Sequence, residues 1–155
     1  MMKYAAVMDS PVGLLTLVQE GEALTEVRFG RRCDDAKQQQ TPLLLQTVRE
    51  LDEYFGGLRQ SFTVTMAPRG TSFQQQCWQA LLQIPYGETR TYAQQAAMIG
   101  KPKACRAVGM GNHHNPLPIL IPCHRVVGKN GMLTGYAGGL DIKEKLLNIE
   151  RMDQP

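Results

Sequence analysis

No stretch of this 155-residue chain approaches the roughly 20 consecutive apolar residues of a membrane-spanning helix. The start, Met1-Met2-Lys3-Tyr4, lacks the apolar core of a secretory leader, because Asp9 and Pro11 interrupt the early apolar stretch. Cys-x-x-Cys pairs are absent: Cys33, Cys77, Cys105 and Cys123 stand far apart, and the His113-His114 pair has no cysteine near it in sequence. That spacing argues against a disulfide framework and against zinc, so no metal is expected. Each cysteine is then either a small buried hydrophobe or a reactive thiol. A glycine-rich phosphate loop, a paired-carboxylate motif and internal repeats are missing too, and low complexity is limited to the glutamine runs at 38–40 and 74–76. A soluble, cytosolic protein is predicted.

The most informative absence is of negative charge in one place. The chain carries 17 Lys and Arg against 14 Asp and Glu, a formal net charge of only +3. Residues 1–70 hold 8 basic and 9 acidic residues; residues 71–155 hold 9 and 5. Between Thr89 and Leu140 stand Arg90, Lys101, Lys103, Arg106, Arg125 and Lys129, all three histidines, and no Asp or Glu. Such a window suits a polyanion partner. At 43% hydrophobic and 20% charged, the chain has material for a packed core.

An α+β fold in two domains, residues 1–68 and 69–155, is predicted. Tyr4 to Met8, Leu14 to Val18 and Leu24 to Phe29 read as three short strands with tight connections, an antiparallel meander. The polar residues 31–41 read as an exposed loop, and 61–65 as a further strand. Leu44, Val48, Leu51 and Phe55 form a helical stripe stopped by Gly56-Gly57. Ala67-Pro68-Arg69-Gly70 is the candidate linker. Beyond it, Thr71 or Ser72 caps one helix, Thr91 caps a second from Tyr92 to Ile99, and a third runs from about Lys103 to Asn112. The last two, joined by Gly-Lys-Pro, read as a helix-turn-helix whose second helix carries Lys103 and Arg106. Pro116 and Pro118 keep the next segment extended. Ile119-Leu120-Ile121 is a buried run that delivers Cys123. A glycine-rich stretch follows, and a helix from about Asp141 to Arg151 with Leu146, Leu147 and Ile149 as its apolar side closes the chain.

Cys123 has the surroundings of a nucleophile. His124 and Arg125 adjoin it, and neighbouring cations stabilise a thiolate. A thiol hydrolase is a weaker reading, because its histidine usually arrives from a distant segment. Cys77 and Cys105 read as structural. Tyr92 and Tyr136 can each stack or donate a hydrogen bond, and the glycines around Tyr136 allow backbone to approach a flat ligand.

The segment Ile121-Pro122-Cys123-His124-Arg125-Val126 resembles the active-site signature of the O6-alkylguanine-DNA alkyltransferases, also called methylated-DNA–protein-cysteine methyltransferases. The resemblance extends over Phe73-Gln74, Pro85-Tyr86-Gly87, Thr91-Tyr92, Arg106-Ala107-Val108-Gly109, Asn115-Pro116, Gly135-Tyr136-Ala137-Gly138-Gly139, Lys143-Glu144 and Glu150, almost all of residues 70–151. It implies a ribonuclease H-like N-terminal domain with a three-stranded sheet and a winged-helix C-terminal domain. It also implies a suicide DNA repair reaction on double-stranded DNA, in which O6-alkylguanine is flipped out of the duplex and Cys123 takes its alkyl group irreversibly.

By the same resemblance His124 is the base, acting through a water and oriented by Glu150, and Asn115 braces the turn. Arg106 fills the gap left by the base, and Tyr92 promotes flipping and helps guanine leave neutral. Cys123, Val126, Tyr136 and Ala137 line the guanine pocket, with Arg125 beside the bound base. Neither metal nor organic cofactor is implied. The protein is expected to act as a monomer, with clustering on DNA left open. Gly109-Met110-Gly111-Asn112-His113-His114 departs from the family's smaller residues, so His113 and His114 either add phosphate contacts or crowd the turn. A catalytically silent lesion binder would lack Cys123, and a plain winged-helix regulator would not explain Pro122 to Arg125 or Glu150.

Overall fold

A computed structural model describes residues 2–152, and the chain divides into two compact units between Arg69 and Gly70. In the first unit, strands β1 (Lys3–Met8), β2 (Leu15–Glu20) and β3 (Ala23–Phe29) form the expected antiparallel meander, with Lys3 opposite Glu20 and Met8 opposite Leu15. The β1–β2 turn is tied by Gly13 N–H to the Ser10 carbonyl at 3.0 Å, and Gly13 has φ 96°, where a side chain would be strained.

The sheet has four strands rather than three, in the order β3-β2-β1-β4. Strand β4 (Lys37–Gln38) pairs parallel to β1 within the segment read from sequence as a loop. Two residues are too few to show alternation, so this strand leaves no pattern. The segment is recruited by tertiary contacts: Asp35, just before it, accepts from Lys3 Nζ at 3.1 Å and Arg28 Nη1 at 2.7 Å. The expected strand at 61–65 does not form; Met66 alone makes a bridge, with Leu24.

Helix α1 (Pro42–Phe55) starts at Thr41, whose hydroxyl accepts from Leu44 N–H at 3.1 Å, and packs on the sheet. Its buried face is Leu44, Thr47, Leu51 and Tyr54, rotated from the apolar stripe because Glu50 also points inward. The buried Glu50 carboxylate accepts from Thr63 N–H and Oγ1, both at 2.7 Å, and from Gln46 Nε2 at 2.8 Å. Burial opposes its ionisation, but the Thr63 and Gln46 hydrogen bonds outweigh that and hold its pKa below the ordinary value. Segment 61–65 is thus held by a side chain in place of a strand ladder. Glu50→Ala leaves the Thr63 amide without its acceptor and should cost about 2 kcal/mol, read from urea denaturation. Since this carboxylate has a depressed folded pKa, its contribution is present at neutral pH and is lost as pH falls through the carboxylate range.

The second unit is mainly helical: α2 (Ser72–Leu82), α3 (Tyr92–Met98), α4 (Cys105–His113) and α5 (Leu140–Met152), with a two-residue parallel pair of β5 (Arg90–Thr91) and β6 (Val126–Val127). Thr71 and Thr91 each close a capping box, with Gln74 and Gln94. Helix α4 begins at Cys105, so Lys103 lies in the turn before it and only Arg106 is carried on the helix itself. Ala104 donates its N–H to the Lys101 carbonyl at 2.9 Å, a tight turn that delays the helix start.

Two devices lock helix α4 to its neighbours, and neither has a sequence period. Gln95 and Asn112 exchange buried amide hydrogen bonds at 2.8 and 2.7 Å, joining α3 to α4. Gly111 lets α4 approach α2, because a Cβ there would stand 2.9 Å from Cys77 Sγ. Cys77 and Trp78 are fully buried and accounted for by this packing.

Candidate active site

Cys123 opens a 3₁₀ turn, Cys123–Arg125, entered through Pro122. The expected buried run before it is present, with Ile119, Leu120 and Ile121 almost without exposure, but it is not a simple strand. Ile119 has φ 77°, which a β-branched residue adopts only when its surroundings over-determine it. Asn115 supplies part of that constraint. Its Nδ2 donates to the Ile121 carbonyl at 2.8 Å while its Oδ1 accepts from Leu117 N–H at 2.9 Å. The bend that presents Cys123 is therefore closed by one buried amide side chain together with the Ile121 N–H, which donates to the Leu117 carbonyl at 2.8 Å.

A cavity of about 310 Å³ lies over the sulfur, lined by Tyr92, Gly109, Met110, Asn112, His113, Cys123, Gly135, Tyr136 and Ala137. Of the sequence-derived candidates it brings together Tyr92, Cys123, Tyr136 and Ala137. His113 joins its wall, with His114 packed edge-on against it at 5.5 Å. A larger groove of about 540 Å³, running past Gln75, Gln79 and Met98, has no cysteine or histidine in its lining. Arg106 is exposed on the first turn of α4 and Val126 is buried in β6; neither lines the cavity.

Behind the cavity stands a buried polar cluster. His124 Nε2 lies 2.6 Å from Glu150 Oε2. Arg125 donates from Nε to Glu150 Oε1 at 2.9 Å, from Nη2 to Oε2 at 3.1 Å, and from Nη1 to the Ile84 carbonyl at 2.8 Å. Glu150 also accepts from Gly87 N–H at 3.2 Å, so one carboxylate on α5 ties the Cys123–Arg125 turn to the loop after α2. Arg125, read from sequence as a neighbour able to stabilise the thiolate or touch the base, is spent on this clamp and on the Tyr86 ring. Adjacent residues on a 3₁₀ turn point in different directions, which sequence adjacency conceals.

The electrostatics differ from the sequence expectation in one respect. Burial pushes the Cys123 thiol up, offset partly by the Asn115 side chain and by the Lys143 charge. His124 is pushed down by burial against the pull of Glu150, so it is neutral at pH 7. Burial opposes the ionisation of Glu150, but His124 and Arg125 outweigh it and bring the carboxyl to about 2. An ionised carboxylate only accepts, so neutral His124 carries its proton on Nε2. Its Nδ1, buried and without a partner among the described residues, is then the basic nitrogen.

Lys143 is the residue that sequence reasoning left without a role. It is fully buried on α5, seven residues before Glu150, so both lie on the face that carries Leu146 and Leu147. A lysine seven residues before a glutamate, on the helix that carries Leu146 and Leu147, was the available signal. Among the described residues no group of three or more His, Cys, Asp or Glu side chains is placed to hold a metal ion.

The whole chain has close relatives. Residues 72–152 match the family described as 6-O-methylguanine DNA methyltransferase, DNA binding domain, and residues 3–68 match its ribonuclease-like domain. A methylated-DNA–protein-cysteine methyltransferase of Methanosarcina acetivorans is 49% identical over 152 residues, covering 95% of this chain and 97% of the relative. The constitutive enzyme of Bacillus subtilis is 45% identical, covering 97% of each. The crystal structure of Mycobacterium tuberculosis OGT in complex with DNA superposes with a TM-score of 0.90 at 44% identity, over 98% of this chain and 95% of that one.

Proposed function

Because the chain belongs to the 6-O-methylguanine DNA methyltransferase family, we infer that it repairs O6-alkylguanine in double-stranded DNA by taking the alkyl group onto Cys123. The observation that carries this reading is the placement of Cys123 in the lining of a cavity of about 310 Å³, next in sequence to the buried His124–Glu150 pair. An O6 substituent lies inside the base stack, so the nucleotide must turn out into such a cavity before the sulfur can reach it.

His124 Nδ1 takes the Cys123 proton through a bridging water, and Glu150 stabilises the imidazolium that forms. The thiolate then attacks the alkyl carbon; the carbon–sulfur bond forms as the carbon–oxygen bond breaks, with the electron pair passing to the purine. Guanine gains the one proton that the thiol lost, aided by the Tyr92 hydroxyl at the cavity wall. Tyr136, Ala137 and the backbone of Cys123 bind the base, whereas Val126, expected from the resemblance to join them, is buried in β6 and off the cavity lining. Asn115 acts through the bend it closes, and Arg125 through Glu150. The thioether is not reversed, so each molecule acts once, and one molecule per lesion is enough. Neither metal nor organic cofactor enters these steps. Residues 1–69 carry no chemical motif and serve a structural role. The expected location is the cytoplasm, where all four cysteines stay as free thiols.

Mass spectrometry after mixing with a duplex containing O6-methylguanine tests this directly. One methyl group on the Cys123 peptide is expected, and an unmodified Cys123 with intact lesion would sink the reading.

Arg106, exposed at the start of α4, fits the position of a side chain that enters the space left by the flipped base. Arg106→Ala should therefore slow repair of a duplex by about tenfold or more, while reaction with a free O6-alkylguanine base changes little. Equal losses on both substrates would count against that role.

A further inference from the structure

Two long side chains of α4 line the Cys123 cavity without a part in the transfer chemistry. Arg106, Met110 and His113 follow at i, i+4 and i+7, so they share the face of α4 opposite the buried Val108, Gly111 and Asn112. Along that face Arg106 leads to Met110 and His113, which reach the cavity. All three are exposed, Met110 at 56%, whereas Cys123 is only 9% exposed. The exposed members of the lining mark the cavity mouth, and Cys123 marks its inner end. Gly135 and Ala137, the other exposed members, offer almost no side chain, so Met110 and His113 give the mouth its shape.

The chemistry of guanine fixes what meets this mouth. Its O6 is carried on the pyrimidine ring, while N9, which bears the deoxyribose, lies on the imidazole ring at the other end of the base. With O6 directed at the buried sulfur, N9 and its sugar sit at the mouth. Met110 presents an unbranched, polarisable chain that adapts to an irregular surface such as a sugar ring. His113 has a ring N–H to donate to a sugar oxygen, and His114 is packed edge-on against it at 5.5 Å. The His114 N–H donates to the Met110 carbonyl at 3.1 Å, so the two mouth residues are held within one turn of backbone. No Asp or Glu stands between Thr89 and Leu140 to repel a phosphate beside that sugar.

We propose, on the strength of the alkyl-transfer reading above, that Met110 and His113 form a collar at the cavity mouth that grips the deoxyribose of the turned-out nucleotide. The pair is then a determinant of specificity: it sets the preference for a nucleoside over a bare base, while Cys123 and the inner wall act on the base itself. The larger side chains that this chain carries at 110 and 113, where the family has smaller ones, gain a use in substrate recognition.

Met110→Ala combined with His113→Ala tests the collar, because both side chains are exposed and alanine favours a helix. Methyl transfer to the Cys123 peptide is timed with three donors: the O6-methylguanine base, its 2′-deoxynucleoside, and a duplex that contains it. The parent should react faster with the deoxynucleoside than with the base. In the double variant that nucleoside-to-base ratio should fall by about tenfold, the size of effect that a few missing apolar contacts produce. An unchanged ratio overturns the proposal, including the case in which both rates fall equally because the side chains meet the base. A loss confined to the duplex, with the ratio intact, also overturns it and assigns the pair to phosphates. If the double variant does not fold, Met110→Ala alone must lower the ratio, and an unchanged value overturns the proposal. Equilibrium binding of the same base and deoxynucleoside requires no transfer. A parent protein that takes no methyl from any donor would therefore refute the alkyl-transfer reading, while the ratio of the two affinities in parent and variant still judges the collar.

Discussion

Cys123→Ser is expected to abolish alkyl transfer, by at least roughly 10³-fold, while binding duplex DNA as the parent does. The loss is chemical rather than steric. Serine is slightly smaller than cysteine, so the cavity and the turn entered through Pro122 should persist, with melting changed by no more than a few degrees. A serine hydroxyl, however, ionises far less readily than a thiol, and a neutral His124 is too weak a base to compensate. The cavity keeps Tyr92, Tyr136 and Ala137, and Arg106 remains on the surface, so the groups that meet DNA are untouched. Incubation with an O6-methylguanine duplex, followed by mass spectrometry of the peptide and a binding titration, reads both halves. Stoichiometric methylation of the serine variant, or transfer to Cys77, Cys105 or Cys33 instead, would refute the assignment. In both proteins the affinity should fall with salt, each neutralised phosphate adding about −0.9 to the log–log slope.

Glu150→Gln should produce the largest loss of stability, about 3–5 kcal/mol, which for a chain of this length lowers the melting temperature by about 10 °C or more. The carboxylate accepts from His124, Arg125 and Gly87 at once. The amide nitrogen of glutamine would face donors, leaving the buried Arg125 guanidinium without its counter-charge. His124 would lose the acceptor that keeps its proton on Nε2, so the basic Nδ1 would no longer be reserved for Cys123. Transfer should therefore fall even at temperatures where the variant is folded. A variant that melts within about 2 °C of the parent and transfers at its rate would refute this account.

The same cluster sets the acid limit of the protein. The Glu150 carboxyl titrates at about 2 in the folded state, below its ordinary 4.5, so its contribution is complete above the ordinary value and is lost as pH falls toward 2. His124 is also depressed, which means the folded state resists a proton that the unfolded chain accepts below about 6.5. Both signs agree: melting temperature should decline from mildly acidic pH downward. Glu150→Gln should flatten that decline, and thermal melts from pH 7 to pH 3 would show it.

Much of the fold can be read where local rules act alone. The alternating runs of β1, β2 and β3 and the threonine caps at Thr71 and Thr91 are short-range features, and the structure has them. The α1 stripe gave the helix but not its buried face, because Glu50, a charged residue, turns inward to meet Thr63. Strand β4 was invisible for a different reason: two residues beside a free sheet edge carry no period of their own.

The chemistry divides along the same line. By itself, the order of residues around Cys123, with Tyr92, Tyr136 and a window free of carboxylates, determined the nucleophile, the class of partner and the family. It did so because reactive side chains and charge are properties of the residues themselves. Which neighbour does what was decided only by the tertiary structure. Arg125 stands two residues from Cys123 in sequence but serves Glu150, whereas Lys143, 20 residues away, is a charge that partly offsets the burial of the thiol. Direction and burial arise when helix α5 packs against the turn, and no pattern local to either segment contains them.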